Sequence, residues 1–190
     1  MGMLIGVLSM IIQTVAGFFT MTLLIRTAMR FMRISFVSQL GQFVLATTNW
    51  VVNPLQRILP SIGRVDLCSL VPAWLIQVLL VMVLALLNMR AINLAMLFGA
   101  AAIVGALNLL SVALMLLSGV VIVAAILSWV NPYAPIVPLL NSLIAPFLAP
   151  FRKIVPPISG VDLSPLLLLL VLQILQFVLQ NSSTSLLHFF

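Results

Sequence analysis

Charge is what this chain has least of. Only 5% of its 190 residues are charged, and the acidic residues number two, Asp66 and Asp162. A soluble domain carries about 25% charged residues, whereas 64% of this chain is hydrophobic. Such a chain cannot cover a water-facing surface, so the composition predicts an integral membrane protein.

Cysteine and histidine are almost absent as well, with Cys68 and His188 the only examples. One cysteine can form neither an intrachain disulfide nor a thiolate metal cluster. The sequence also lacks a Ser–His–acid set, a thiol–His pair and a phosphate-binding glycine loop. We therefore expect no catalysis and no cofactor. The net charge of +6 predicts membrane topology and no nucleic-acid partner, because the basic residues flank apolar runs.

Four apolar runs are long enough to cross a bilayer, which takes about 20 residues. We place the spans at about 4–25, 67–87, 104–128 and 163–181. The first is expected to be a retained span, since neither a basic segment nor a small-residue cleavage site marks it as a signal peptide.

The third run is too long for one crossing. Residues 91–130 carry no charge, and as a single helix they would measure about 60 Å against a hydrocarbon core of about 30 Å. Gly99 and Gly105 are the expected break points, because glycine weakens a helix interior. We expect 92–103 to form a short separate helix, interfacial or re-entrant.

The sequence also repeats itself. Residues 54–70 read PLQRILPSIGRVDLCSL and residues 150–166 read PFRKIVPPISGVDLSPL, with eight of seventeen positions identical and no gap. The offset of 96 residues (162 − 66) pairs the two acidic residues with each other. We predict two tandem repeats, 1–90 and 91–190, each a span, a loop and a span, in parallel orientation.

The basic residues predict the topology. Seven of the eight lie in the long connections 26–66 and 131–162. By the positive-inside rule these connections are cytoplasmic and both termini are outside. Arg26, Arg30 and Arg33 share one helix face, where we expect them to set the topology and contact anionic lipid, with a specific partner site as the alternative.

Both connections are apolar enough to stay against the membrane. In the first, apolar residues recur at helical spacing, and Phe43 and Trp50 fall on one side, which predicts a helix in the headgroup region. In the second, prolines are expected to break regular structure. These are Pro135, Pro138, Pro146 and Pro150.

The repeated segment admits two interpretations. Asp66 and Asp162 precede spans, where a carboxylate caps a helix N-terminus. Alternatively, five charged residues converge at the cytoplasmic face and bind an ion, a headgroup or a partner. These five are Arg57, Asp66, Arg152, Lys153 and Asp162.

Glutamines are the main polar residues of the spans. Candidate intramembrane polar contacts are Gln13, Gln77, Gln173, Gln176 and Gln180. Hydrogen bonds between helices are one interpretation, and a narrow polar path is the other. We expect no charged side chain inside a span, which disfavours a path for charged solutes.

These features together resemble a known family. The chain contains two copies of one arrangement: a span, the pattern Pro-x-[RKQ]-[RK]-Ile-x-Pro-x-x-x-x-[VI]-Asp, and a second span. This arrangement resembles the YggT/YlmG family of bacterial inner-membrane proteins. Leu24-Ile25-Arg26 and Ser128-Trp129-Val130-Asn131-Pro132 add to the resemblance, as does Val161-Asp162-Leu163-Ser164-Pro165. The first copy departs from the pattern, with Arg64 before Val65-Asp66 and Cys68-Ser69 where the second copy has Ser164-Pro165.

The resemblance implies a multi-pass inner-membrane protein without known catalysis. It links bacterial relatives to osmotic or ion homeostasis and to cell-division gene neighbourhoods, and plastid relatives to cytochrome b6 maturation or nucleoid organisation. We expect an all-α membrane protein whose cytoplasmic loops serve as a scaffold or assembly factor. Its partners would be the lipid bilayer and either a membrane protein or a second copy of itself. The alternative is a subunit or regulator of ion or osmolyte permeation.

Overall fold

The computed structural model describes residues 2–57, 66–87, 94–154 and 162–189, and most of these residues are helical. In chain order the helices are α1 (Gly2–Phe31), α2 (Gln39–Gln56), α3 (Leu67–Leu87), α4 (Leu94–Val130), α5 (Val137–Ile154) and α6 (Ser164–Phe189). Of these, α1, α3, α4 and α6 are long and apolar enough to cross a membrane. The all-α class is confirmed, and so are four helices of spanning length and apolar composition.

The chain divides into two compact units. The first comprises Met1–Val112 with Leu179–Phe190, and the second comprises Ala113–Val178. The first holds α1, α2 and α3 with the beginning of α4, whereas the second holds the rest of α4, α5 and most of α6. These units do not coincide with the two sequence repeats, whose boundary at residue 90 stays a prediction.

A left-handed residue ends α1. Arg33 has a φ of 55°, its N–H donates to the carbonyl of Arg30, and the N–H of Ile34 donates to the carbonyl of Met29. This is a Schellman motif, which usually has glycine at the left-handed position. It turns the chain back, so that α2 can pack against the helix it has just left.

The helix predicted in the first connection is confirmed as α2. Ser38 caps it, because its hydroxyl accepts the N–H of Gly41 at 3.2 Å. A Cβ at Gly41 would lie 2.6 Å from the Phe36 Cα, so only glycine allows this close approach. Edge-to-face ring contacts hold the helix against α1, between Phe18 and Phe43 and between Phe19 and Trp50.

The expected breaks at Gly99 and Gly105 are wrong, because Leu94–Val130 is one continuous helix. The separate helix expected at 92–103 is therefore part of α4 from Leu94 onward, and residues 92–93 lie outside the described residues. A Cβ at Gly105 would lie 2.8 Å from Val78 Cγ2, so this glycine lets α3 and α4 pack closely. In hydrocarbon a helix break leaves backbone groups without partners, which outweighs the weak helix propensity of glycine.

The second connection also corrects an expectation, since most of it is the helix α5. Pro138 lies in the first turn, where proline is tolerated. Pro146 and Pro150 lie inside the helix but are four residues apart on its exposed face. There the carbonyls that lose an intrahelical bond remain accessible to water or headgroups. Pro135 precedes the helix, as expected.

The second unit is closed by aliphatic side chains. Side chains of α4, α5 and α6 form one buried cluster. Its members are Val121, Ala124, Leu140, Ile144, Leu148, Leu168 and Leu172. In the first unit, a smaller cluster contains Leu23, Val52, Cys68 and Ala73. The first unit also buries polar and charged side chains, among them Arg26, Thr48 and Asp66.

Candidate functional site

Asp66 lies directly before α3 and is buried. Its carbonyl oxygen accepts the N–H groups of Ser69 and Leu70, both at 3.0 Å. Its side-chain Oδ2 accepts the Ser69 hydroxyl at 2.7 Å. The backbone carbonyl of Asp66 therefore accepts the first hydrogen bonds of α3. Its carboxylate also lies close to charged side chains of another helix.

Two arginines of α1 supply those charges. Arg30 Nη1 lies 3.1 Å from Asp66 Oδ1, and Arg26 Nε lies 4.0 Å from Asp66 Oδ2. The two arginines are four residues apart, so they lie on one face of α1. The side chains of Arg26 and Asp66 are 3% and 0% exposed, whereas that of Arg30 is 36% exposed. Arg30 thus connects the buried pair to the surface.

The middle of α2 completes the site. Arg26 Nη1 donates to Thr48 Oγ1 at 2.7 Å and to Asn49 Oδ1 at 2.8 Å. The Thr48 hydroxyl donates in turn to the Val44 carbonyl at 2.6 Å. We call this set the buried arginine cluster, and its members are Arg26, Arg30, Thr48, Asn49, Asp66 and Ser69.

The cluster carries unequal charges. Two guanidinium groups face one carboxylate, which leaves one positive charge in excess. Among the described residues, the buried atoms Arg26 Nε and Asp66 Oδ1 make no hydrogen bond. The excess positive charge is accessible at Arg30, whose side chain is 36% exposed.

An apolar cavity adjoins the cluster. It has a volume of about 350 Å³ and lies beneath α2, and its lining comes from α1, α2 and Ile76 of α3. Thr48 belongs to both, since it lines the cavity and accepts the Arg26 hydrogen bond. A hydrocarbon chain fits such a lining, whereas a polar ligand would lose its hydration there without compensation.

The second unit has a simpler ion pair. Arg152 Nε donates to Asp162 Oδ2 at 2.9 Å, and these side chains are 56% and 38% exposed. Asp162 Oδ1 accepts the Ser164 N–H at 2.9 Å, at the start of α6. Partial burial favours the neutral acid, but the hydrogen bonds from Ser164 and Arg152 and the Arg152 charge outweigh it and hold the pKa of Asp162 below its usual value.

Polar side chains within the helices pair inside each unit. Gln77 Nε2 donates to Thr20 Oγ1 at 3.0 Å, and both residues are buried. In the second unit, Gln176 Nε2 donates to the Ser118 hydroxyl at 3.4 Å. Each of these contacts joins two spanning helices.

Comparison with known proteins identifies the family. The model of the CCB3/YggT family matches residues 5–87 and 103–183. The chain belongs to the CCB3/YggT family.

Relatives of this YggT-family protein are similar over most of their length. An uncharacterised protein of Vibrio alginolyticus is 36% identical over 90% of this chain and 92% of its own. The YggT protein of Escherichia coli K12, also named as uncharacterised, is 32% identical over 88% of this chain and 86% of its own. No solved structure matches the chain. The family and the four long apolar helices identify a membrane protein, and the names of these relatives describe no reaction.

The structure distributes the sequence-predicted charged residues over both units. Asp66 and the exposed Arg57 belong to the first, and Arg152, Lys153 and Asp162 belong to the second. Within the described residues, the ionic partners of Asp66 are Arg26 and Arg30. Convergence of the five charges in one site stays a prediction, and the segments 58–65 and 155–161 lie outside the described residues.

One expectation about charge is wrong. Arg26 does not face lipid, because it is 2% exposed within the first unit. The helix on which Arg26 and Arg30 share a face is confirmed, since α1 extends to Phe31. A buried basic residue pairs with an acid, and the chain has two acids.

The glutamines also separate into two groups. Gln77 and Gln176 are at least half-buried and contact a neighbouring helix. Gln13, Gln173 and Gln180 lie at exposed positions. Thr20, Thr48 and Asn49 were missed, because threonine and asparagine are common in helices without any such role.

Proposed function

We propose that this YggT-family protein is a non-catalytic scaffold or assembly factor of the bacterial inner membrane. The Gln77–Thr20 contact carries the proposal. A glutamine that would line a polar path is instead bonded to the neighbouring helix at 3.0 Å. The Gln176–Ser118 contact has the same form in the second unit. Pairing helix by helix favours a rigid framework over a permeation pathway.

The partner surface in this proposal is the basic end of each interfacial helix. Arg57 follows α2, and Arg152 and Lys153 lie in the last turn of α5. All three are exposed, and together with the Arg152–Asp162 pair they still leave an excess of positive charge for an acidic surface of a partner protein. Their positions at helix C-termini, where the dipole is negative, suit basic residues.

The two halves are, in this proposal, copies of one module in parallel orientation. The family model matches two segments of similar length, 5–87 and 103–183. The buried faces of α2 and α5 also correspond at the offset of 96 residues. The buried pairs are Gly41/Val137, Val44/Leu140, Thr48/Ile144 and Val52/Leu148.

The orientation follows from the basic residues, with the long connections cytoplasmic and both termini outside. Reporter fusions after Leu87 should report the outside, and fusions at Asn53 or Leu148 should report the cytoplasm. The reverse pattern would contradict the proposed topology.

Crosslinking tests the scaffold itself. Full-length protein is crosslinked in native membranes, purified and compared with a variant carrying Arg57→Gln, Arg152→Gln and Lys153→Gln. The variant should keep its abundance and lose the crosslinked partner, whereas Arg33→Gln, outside the proposed surface, should retain it. An unchanged partner set would refute the surface.

A flux assay tests the competing function. Replacing Gln173, Gln176 and Gln180 together with leucine should leave ion and solute flux in reconstituted vesicles unchanged. Loss of a flux that the wild-type protein supports would establish permeation instead.

A further inference from the structure

We propose that the cavity beneath α2 and the arginines beside it form a binding site for one anionic phospholipid. An acyl chain occupies the cavity, and the phosphate lies at Arg30. This site is independent of the partner surface proposed above.

The apolar lining of the cavity indicates that its occupant is an acyl chain. On α1 it is formed by Ile11, Ile12, Val15, Ala16, Phe19 and Leu23. On α2 it includes Trp50 and Val51, and the contact of Trp50 with Phe19 closes one wall at a centroid distance of 5.9 Å. Tryptophan at the membrane interface is typical of such a position. The occupant is therefore hydrocarbon that enters from the bilayer.

One face of α1 joins the cavity to the charges. Leu23, Arg26 and Arg30 are spaced i, i+3 and i+7, so they lie along one side of the helix. From Leu23 to Arg30 the helix rises about 10 Å. A lipid whose chain lies against Leu23 thus has its headgroup at the level of the arginines.

The charge of the headgroup follows from the cluster. Asp66 neutralises only one of its two arginines, and both the carboxylate and Arg26 are buried. The excess positive charge is reached through Arg30, whose side chain is 36% exposed. An anionic phosphate at Arg30 complements this charge, whereas a zwitterionic headgroup adds a second cation beside it.

Native mass spectrometry of the full-length protein in detergent tests the site. Phosphatidylglycerol and phosphatidylcholine with the same acyl chains are added in competition. The wild-type protein should retain phosphatidylglycerol preferentially. Arg30→Gln should lower that preference about fivefold, the effect of one basic residue near anionic headgroups, and Arg30→Lys should restore most of it.

A matched pair of variants tests the cavity. Ala16→Phe fills it and should reduce retention of phosphatidylglycerol. Ala106→Phe makes the same change at an exposed position of α4 and should have no effect. A melting temperature for each variant confirms that it is folded. If Arg30→Gln unfolds, the competition between the two lipids for the wild-type protein is the charge test.

Equal retention by Ala16→Phe and Ala106→Phe overturns the acyl-chain site. Equal retention of the two lipids by wild type overturns the role of the arginines. Displacement of phosphatidylglycerol by inorganic phosphate alone would show a site for free anions, and it too would overturn the proposal of a lipid.

Discussion

The two units use the same sequence motif around different interiors. In the first, the motif leads into Asp66, which is buried against two arginines. In the second it leads into Asp162, which stays near the surface with Arg152, above a core of aliphatic side chains. The difference arises in the neighbouring helices, because α4 contains no basic residue. A repeated acid thus takes its environment from its surroundings and not from its own segment.

The helices α2 and α5 differ in the same way, polar in the first unit and apolar in the second. Thr48 and Asn49 bind Arg26 in the first unit, and the corresponding positions 96 residues later are Ile144 and Ala145. Ile144 is buried, as Thr48 is. The helix therefore keeps its packing register while a polar contact becomes an apolar one.

The largest expected effect is at Asp66. Asp66→Asn keeps an acceptor for Ser69 but leaves two arginines without a counter-charge, so it should destabilise the protein by about 3 kcal/mol or more. Asp162→Asn should cost less than about 1 kcal/mol, because its ion pair is exposed. Unfolding in detergent micelles by titrated sodium dodecyl sulfate measures both. If both aspartates act only as helix caps, both variants should be nearly silent, since asparagine caps about as well as aspartate.

Much of this fold is predictable from the sequence, because long apolar runs have few alternatives in a bilayer. The bounds of α3, 67–87, are those expected. The continuity of α4 was not predictable from the sequence. Glycine is needed at position 105 because Val78 of α3 packs closely against it, and the sequence does not show this contact. Likewise the prolines of α5 are accommodated by an exposed face that only the packing defines. The buried arginine cluster was only partly predictable. The sequence shows which charged residues exist, but it does not show which helices bring them together.

The next largest effect concerns helix packing in the first unit. Gly105→Ala places a Cβ 2.8 Å from Val78 Cγ2 and 3.0 Å from the Val78 nitrogen. The helices must separate, at a cost of about 1–3 kcal/mol. Gly99→Ala meets nothing within 4 Å and should stabilise α4 by about 0.5–1 kcal/mol. The same titration compares the two, and a loss of stability in both would argue against the close α3–α4 contact.

A smaller effect is expected at the paired glutamines. Gln77→Leu removes the buried bond to Thr20 and should cost about 0.6 kcal/mol, the average for such bonds in membranes. Gln173, the corresponding residue 96 positions later, is exposed, so Gln173→Leu should leave the free energy of unfolding unchanged. Similar losses in both variants would mean that the second unit relies on this position too.

The smallest effect is the pH dependence of Asp162. Because its pKa is lowered by folding, its contribution is present above the ordinary value and is lost as the pH falls through the folded pKa. The difference in unfolding free energy between wild type and Asp162→Asn should be constant above about pH 5 and disappear in stronger acid. A difference that grows on acidification would contradict the sign.

Double-mutant cycles measure whether the aspartate of the repeated motif interacts more strongly with its arginine in the first unit than in the second. One cycle combines Arg30→Gln with Asp66→Asn, and the other combines Arg152→Gln with Asp162→Asn, with unfolding free energies measured in the same detergent. We expect a coupling in the upper part of about 0.5–3 kcal/mol for Arg30 and the buried carboxylate of Asp66, and about 0.2–1 kcal/mol for the exposed pair. Equal couplings, or a stronger one for Arg152 and Asp162, would contradict it.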